Sequence, residues 1–188
     1  DGSALIQLTN TLQTTPVTFQ RTTKPVKVFE YTYWGTPVTS TVLNTLPPST
    51  SNNTAFSYNF PTPSPLNGWV QENISNNMVI GKGYAVRGPW CLPYPSCFIS
   101  SPQNQYTMNF VGIPNNGNIS FTSTSSDRIH LVSNPYSSTL RAVNFMLDNT
   151  GGGTRVQALY FWTHNTVLSS VIPGNWLFNY TQDDYAAI

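Results

Sequence analysis

The chain has 188 residues, of which 8% are Asp, Glu, Lys or Arg, and its formal net charge is +1. An ordinary soluble domain carries about 25% charged residues, so this surface must be polar without being ionic, built from Ser, Thr, Asn, Gln, Gly and Pro. Eight scattered Lys and Arg form no basic stripe, which speaks against nucleic acid, and no apolar run approaches the roughly 20 residues of a membrane helix.

Residues 3–8, Ser-Ala-Leu-Ile-Gln-Leu, read as a short strand, and Val17 to Arg21 as a second. Val26 to Trp34 alternates, with Val26, Val28, Thr32 and Trp34 on one side and Phe29, Tyr31 and Tyr33 on the other, which predicts one continuous strand. Over 45–68 the composition shifts to Pro, Ser, Asn and Thr, the pattern of an exposed connection with a brief strand at Ala55 to Phe60. A second block of strands begins at Met78 and runs through Gly81-Lys82-Gly83-Tyr84-Ala85-Val86 to a break at Gly88-Pro89. The first three residues of that glycine run lack the spacing of a phosphate loop and fit a strand under close backbone packing.

Cys91 and Cys97 follow, in Trp-Cys-Leu-Pro-Tyr-Pro-Ser-Cys. Two prolines stiffen the loop, and a bridge of this size would restrict the unfolded chain by about 2–3 kcal/mol. A disulfide is favoured over two free thiols, which suits an oxidising, extracellular setting. Zinc would need two more ligands, and His130 and His164 are not spaced with the cysteines. Gln105 to Gly112 and Asn118 to Ser123 look like paired strands around Ile113-Pro114-Asn115-Asn116-Gly117, where Asn-Gly is a hairpin signal. Arg128 to Ser133 reads as another strand, stopped at Asn134-Pro135-Tyr136.

A helix is expected at 137–149, capped by Ser137 or Ser138, with Leu140, Val143, Met146 and Leu147 on the face that packs against the sheets. After Gly151-Gly152-Gly153, Arg155 to Thr166 is apolar on both faces, which predicts the central strand of a sheet. Ser169 to Trp176 and Leu177 to Tyr180 add further β material. The whole reads as all-β, a jelly-roll-like β-sandwich of mostly antiparallel strands in a single domain over 1–188, with one short helix. The chain stops at Ala187-Ile188 without a closing turn, and it reads as a fragment of a larger protein.

Taken together, several segments resemble a module of large cell-surface and secreted proteins of flavobacteria and related Bacteroidota, exported through the type IX secretion system. They are Ser3 to Gln7, Tyr31-Thr32-Tyr33-Trp34-Gly35-Thr36-Pro37-Val38, Gly81 to Tyr84, Phe110 to Gly117, Asn134-Pro135-Tyr136-Ser137-Ser138, and Tyr160-Phe161-Trp162-Thr163-His164-Asn165-Thr166. The family's Gly-Asn-Pro-Tyr-Pro-Ser and acidic helix start are replaced here by Ser133-Asn134-Pro135-Tyr136-Ser137-Ser138 and then Leu140-Arg141. The resemblance implies a piece of a multidomain protein at the outer cell surface or outside the cell. Its export would use a sorting segment beyond this chain, and the module brings no catalytic residues to carry over.

Seven carboxylates and two histidines are thin material for an enzyme. Glu30 with Glu72, or Asp148 with Asp183, would be the pairs for a glycosidase, yet solvated or capping roles fit them better. No nucleophile elbow or metalloprotease motif is present. No cofactor or metal site is expected. Asp148-Asn149 and Asp183-Asp184 are the stretches that would offer oxygens to a structural calcium. Five Trp, ten Tyr and ten Phe are the feature that points to binding, since exposed rings stack on sugar faces. Trp90, Tyr94 and Trp176 are the candidate ligand residues, while Tyr33, Trp34, Tyr160 and Trp162 are expected in the core. The expected role is a non-enzymatic structural or adhesive module touching an extracellular polymer such as a glycan. The alternatives are a carbohydrate-binding module of a secreted enzyme and a self-associating subunit of a filament or surface layer.

Overall fold

A computed structural model describes residues 5, 7, 9–11, 13–27, 29–46, 55–60, 68–88, 104–121, 129–150, 156–173 and 179–188. It forms two compact units, Asp1–Thr139 and Leu140–Ile188, each described by itself. The fold is mostly β with antiparallel sheets and one short helix, a sandwich-like arrangement.

In the first unit, β1 (Val17–Thr22) pairs with β6 (Thr107–Gly112) as a two-stranded sheet. Alternation divides its faces: Phe19, Met108 and Phe110 turn inward and are buried. Outward, Gln20 donates to Asn109 at 3.1 Å and the Thr22 and Thr107 hydroxyls meet at 2.9 Å, so the solvated face is laced by neutral cross-strand hydrogen bonds. The second sheet holds β2 (Tyr31–Trp34), β3 (Ala55–Phe60), β4 (Trp69–Gln71), β5 (Tyr84–Arg87) and β7 (Ile129–His130) in the order β2-β5-β3-β4, with β7 also on β3. Between the sheets lies the core of Phe19, Trp34, Val38, Leu43, Leu46, Ala55, Met78, Tyr84, Val86, Met108 and Phe110. Trp34 and Phe110 meet across it with ring centroids 5.9 Å apart.

The strand expected across Val26 to Trp34 is broken in the middle. Phe29 is buried at φ +67, and Glu30 closes the turn by accepting from the Lys27 amide at 2.7 Å. Alternation alone could not foresee this, because the turn keeps Phe29 buried and so leaves the hydrophobic pattern intact. The Ala55 to Phe60 strand has its expected bounds, but it is the middle of the larger sheet rather than a brief excursion, with Ala55 and Ser57 buried. Of the first expected strand, Leu5 and Gln7 are described and neither is extended into a sheet.

The expected pairing of 105–112 with 118–123 is not seen among the described residues. β6 takes β1 as its partner, and residues 118–121 are not in a strand. Gly117 does adopt φ +74, but the two asparagines tie loops together instead. Asn115, buried, donates its amide to Thr36 O at 3.0 Å and to Pro135 O at 2.9 Å. Asn116 donates to Thr9 O at 2.7 Å and Thr11 O at 3.0 Å. Two glycines allow this region to close. A Cβ on Gly35 would sit 2.2 Å from Ser133 Cβ, and one on Gly83 would sit 2.7 Å from Leu131 Cγ.

In the second unit, α1 spans Ala142–Asp148, shorter than expected at its start. Ser137 is not its cap, because its hydroxyl donates to Leu5 O at 2.8 Å and Arg141 occupies the capping position without a side-chain bond. No residue of α1 is buried, and Leu140, Val143 and Leu147 are exposed, contrary to the packing face expected of them. β8 (Tyr160–Trp162) pairs with β9 (Tyr185–Ala187) as a two-stranded ribbon. The expected central strand is therefore short, and Tyr160 is exposed rather than core. Trp162 is half-buried among neighbouring rings of its own unit, while Tyr160 and Phe161 stay exposed. Of the β material expected over 169–180, the described part is the single Ser169 to Asn179 bridge.

Asn115→Ala should cost about 2–4 kcal/mol of stability, since it leaves two buried carbonyls without their donor. Urea denaturation monitored by far-ultraviolet circular dichroism measures this, and a loss below about 1 kcal/mol would contradict the role given to the amide.

Candidate binding surface

The proposed disulfide of Cys91 and Cys97, and the candidate ligand residues Trp90, Tyr94 and Trp176, lie outside the described residues. Two aromatic surfaces are found among the described ones. In the second unit, alternation along β8 puts Tyr160 and Trp162 on one face and Phe161 on the other. Their partners across the ribbon are Ala187, Tyr185 and Ala186, respectively. Opposite an alanine, Tyr160 remains 62% exposed and Phe161 45%.

Around half-buried Trp162, the Tyr180 ring packs edge-on at 4.6 Å and Tyr185 at 5.2 Å. His164 stacks on it at 5.8 Å, its plane tilted by 14°. His164 reaches that position because its backbone turns through φ +50, an uncommon conformation for a residue with a side chain. Tyr160, Trp162 and His164 thus form a row, flanked by Tyr180 and Tyr185. Edge-on packing of this kind contributes about 0.5–1.5 kcal/mol per pair beyond area and fixes the rings in orientation.

A buried carboxylate ties the segment just after the row to the 181–184 turn. Asp184 is fully buried, and its Oδ1 accepts from the Asn165 and Thr166 amides at 2.8 Å each. Its Oδ2 accepts from the Thr166 hydroxyl and from the Thr181 amide at 3.1 Å. Residues 181–184 close as a 3₁₀ turn with a reciprocal capping box. Burial pushes the Asp184 carboxyl up, but the Thr166 hydroxyl and the Thr166, Asn165 and Thr181 amides outweigh it and hold the carboxyl below its usual range. The residue considered for calcium is thus occupied as a hydrogen-bond acceptor. No group of three metal-ligating side chains occurs among the described residues. The carboxylates considered as an acid–base pair also have local duties, Glu30 in its turn and Glu72 with Lys82 Nζ at 2.5 Å.

The second surface is the outer face of the larger sheet in the first unit. Registers Tyr31 to Arg87, Tyr33 to Ala85, Phe56 to Ala85 and Gln71, and Tyr58 to Trp69 put these residues on one side. Five rings are half-buried there, Tyr31 against Phe56 at 6.3 Å, Tyr33 against Trp69 at 6.3 Å and Tyr58 against Trp69 at 4.8 Å. Burial raises the Tyr31 pKa, opposed by the nearby Arg87 charge. The alternation at Tyr31 to Trp34 already sets Tyr31 and Tyr33 on one side. Phe56, Tyr58, Trp69 and Arg87 carried no signal, because the register that joins them comes from pairing between distant segments.

A family model described as Domain of unknown function (DUF8693) matches residues 1–188, and the chain belongs to that family. No curated protein and no solved structure matches it.

Asp184→Asn replaces an acceptor with an amide that opposes the Thr181 amide, and should lower the local stability of the β8–β9 ribbon by about 1.5–3 kcal/mol at neutral pH. Because the native carboxyl lies below its unfolded value of about 3.9, the stabilisation is full above that pH. It is lost as pH falls through the native pKa. Hydrogen exchange at the Asn165 and Thr166 amides should therefore separate wild type from variant at pH 7 and converge in acid. A gap independent of pH would refute the assignment.

Proposed function

We propose that this member of the family is a non-enzymatic extracellular contact module of a bacterial surface or secreted protein, which holds a glycan by stacking on the Tyr160–Trp162–His164 row. The observation that carries this reading is a row in which exposed Tyr160 stands beside half-buried Trp162 and His164, these two held in orientation by each other, by Tyr180 and Tyr185 and by the Asp184 turn. Flat rings edged by hydroxyl, imidazole and backbone polar groups match the two aspects of a pyranose, apolar C–H faces and a polar rim.

The weakly charged surface suits display outside the cell, where the resemblance to modules exported by the type IX system would put it. Catalysis has no part in this reading; of the carboxylates considered for it, Glu30 serves a turn and Glu72 an ion pair. The parent protein would present the module, and the module would supply adhesion.

Titration with a panel of soluble polysaccharides, followed by tryptophan fluorescence, tests the idea. At least one polymer should shift the emission, and Tyr160→Ala should weaken its binding about tenfold. Tyr160 is the suitable variant because its exposed ring leaves the fold intact. Silence across the panel, or unchanged affinity in the variant, would count decisively against the proposal.

A further inference from the structure

Arg87 is the unexplained group on the outer aromatic face of the larger sheet. It is half-buried, and its guanidinium carbon lies 4.2 Å from the Phe29 ring centroid. Its Nε is buried and meets no acceptor, and no carboxylate among the described residues forms an ion pair with it. Glu30, whose backbone carbonyl accepts from the Gly88 amide beside Arg87, receives the Lys27 amide at Oε2. A cation held by a ring and left without an anion is expensive to keep in a half-buried place, unless something arriving from outside supplies the negative charge.

The geometry points to this face as a second, separate binding site, one for a polysaccharide containing uronic acid. Tyr31 is the direct cross-strand partner of Arg87, and Phe56, Tyr33, Tyr58 and Trp69 extend the rings across the same face. Sugar rings would lie on this aromatic layer while a carboxylate takes the guanidinium, whose planar fork matches a carboxylate in two parallel hydrogen bonds. Phe29, by holding the guanidinium from behind, positions it before the ligand arrives. The charge balance fits: a scaffold with so few cations does not attract polyanions in general, so selectivity would rest on this one group together with stacking.

Calorimetric titration of the whole chain with oligogalacturonate, with a neutral galactan of equal length and with dextran sulfate tests the assignment. Oligogalacturonate should bind more tightly than both, and more weakly as salt rises. Arg87→Gln should reduce that affinity about 10- to 100-fold. Arg87→Lys, which keeps charge without the fork, should fall between. Melting temperatures of both variants near that of wild type exclude misfolding as the cause. Val171→Ser, at an exposed position outside both aromatic surfaces, should leave oligogalacturonate binding unchanged. No oligogalacturonate binding, equal binding by Arg87→Gln, or tighter binding of the galactan or dextran sulfate would overturn it.

Discussion

The first unit depends on a single side-chain amide. Asn115 is buried between two loops and gives one N–H to each, to Thr36 O and Pro135 O. Thr36 is itself buried, its hydroxyl donating to Val38 O at 2.6 Å and meeting the Thr41 hydroxyl at 2.8 Å. The Asn115 amide proton goes to Pro37 O, and Tyr136 O–H reaches Gly117 O. Three segments far apart in sequence are thereby closed on one another without a charge or a metal among these groups. Buried carbonyls at strand ends would otherwise lack donors, and prolines at 37, 114 and 135 cannot supply any.

That arrangement explains why these segments look distinctive in the sequence. Gly35, Asn115 and Pro135 are placed by tertiary closure rather than by local propensity. Gly35 must lack a Cβ because Ser133 occupies its place, and the Asn-Gly pair supplies a left-handed glycine after an asparagine whose side chain is needed elsewhere. A reading confined to neighbours takes Asn-Gly for a hairpin.

Strand positions were legible at β1, β3, β5 and β6, and along β6 burial follows the alternation. They were illegible where a turn preserved the alternation, at Phe29, and where aromatic rings packed sideways instead of inward, at β8. The helix was legible as an amphipathic stretch, but its start was not, since Ser137 is drawn off by Leu5. The candidate surfaces were legible only in kind. Aromatic abundance raised the expectation of a stacking surface, yet which rings share a face follows from register, and Arg87 joins them only because Tyr31 stands opposite it.

The two-stranded sheet of β1 and β6 is tied on its solvated side by Gln20 to Asn109 and Thr22 to Thr107. Such dipolar ties carry no net charge for dissolved ions to shield, so they hold equally in fresh water and in brine. A sheet tied this way is less sensitive to dissolved salt than one laced by lysine and glutamate.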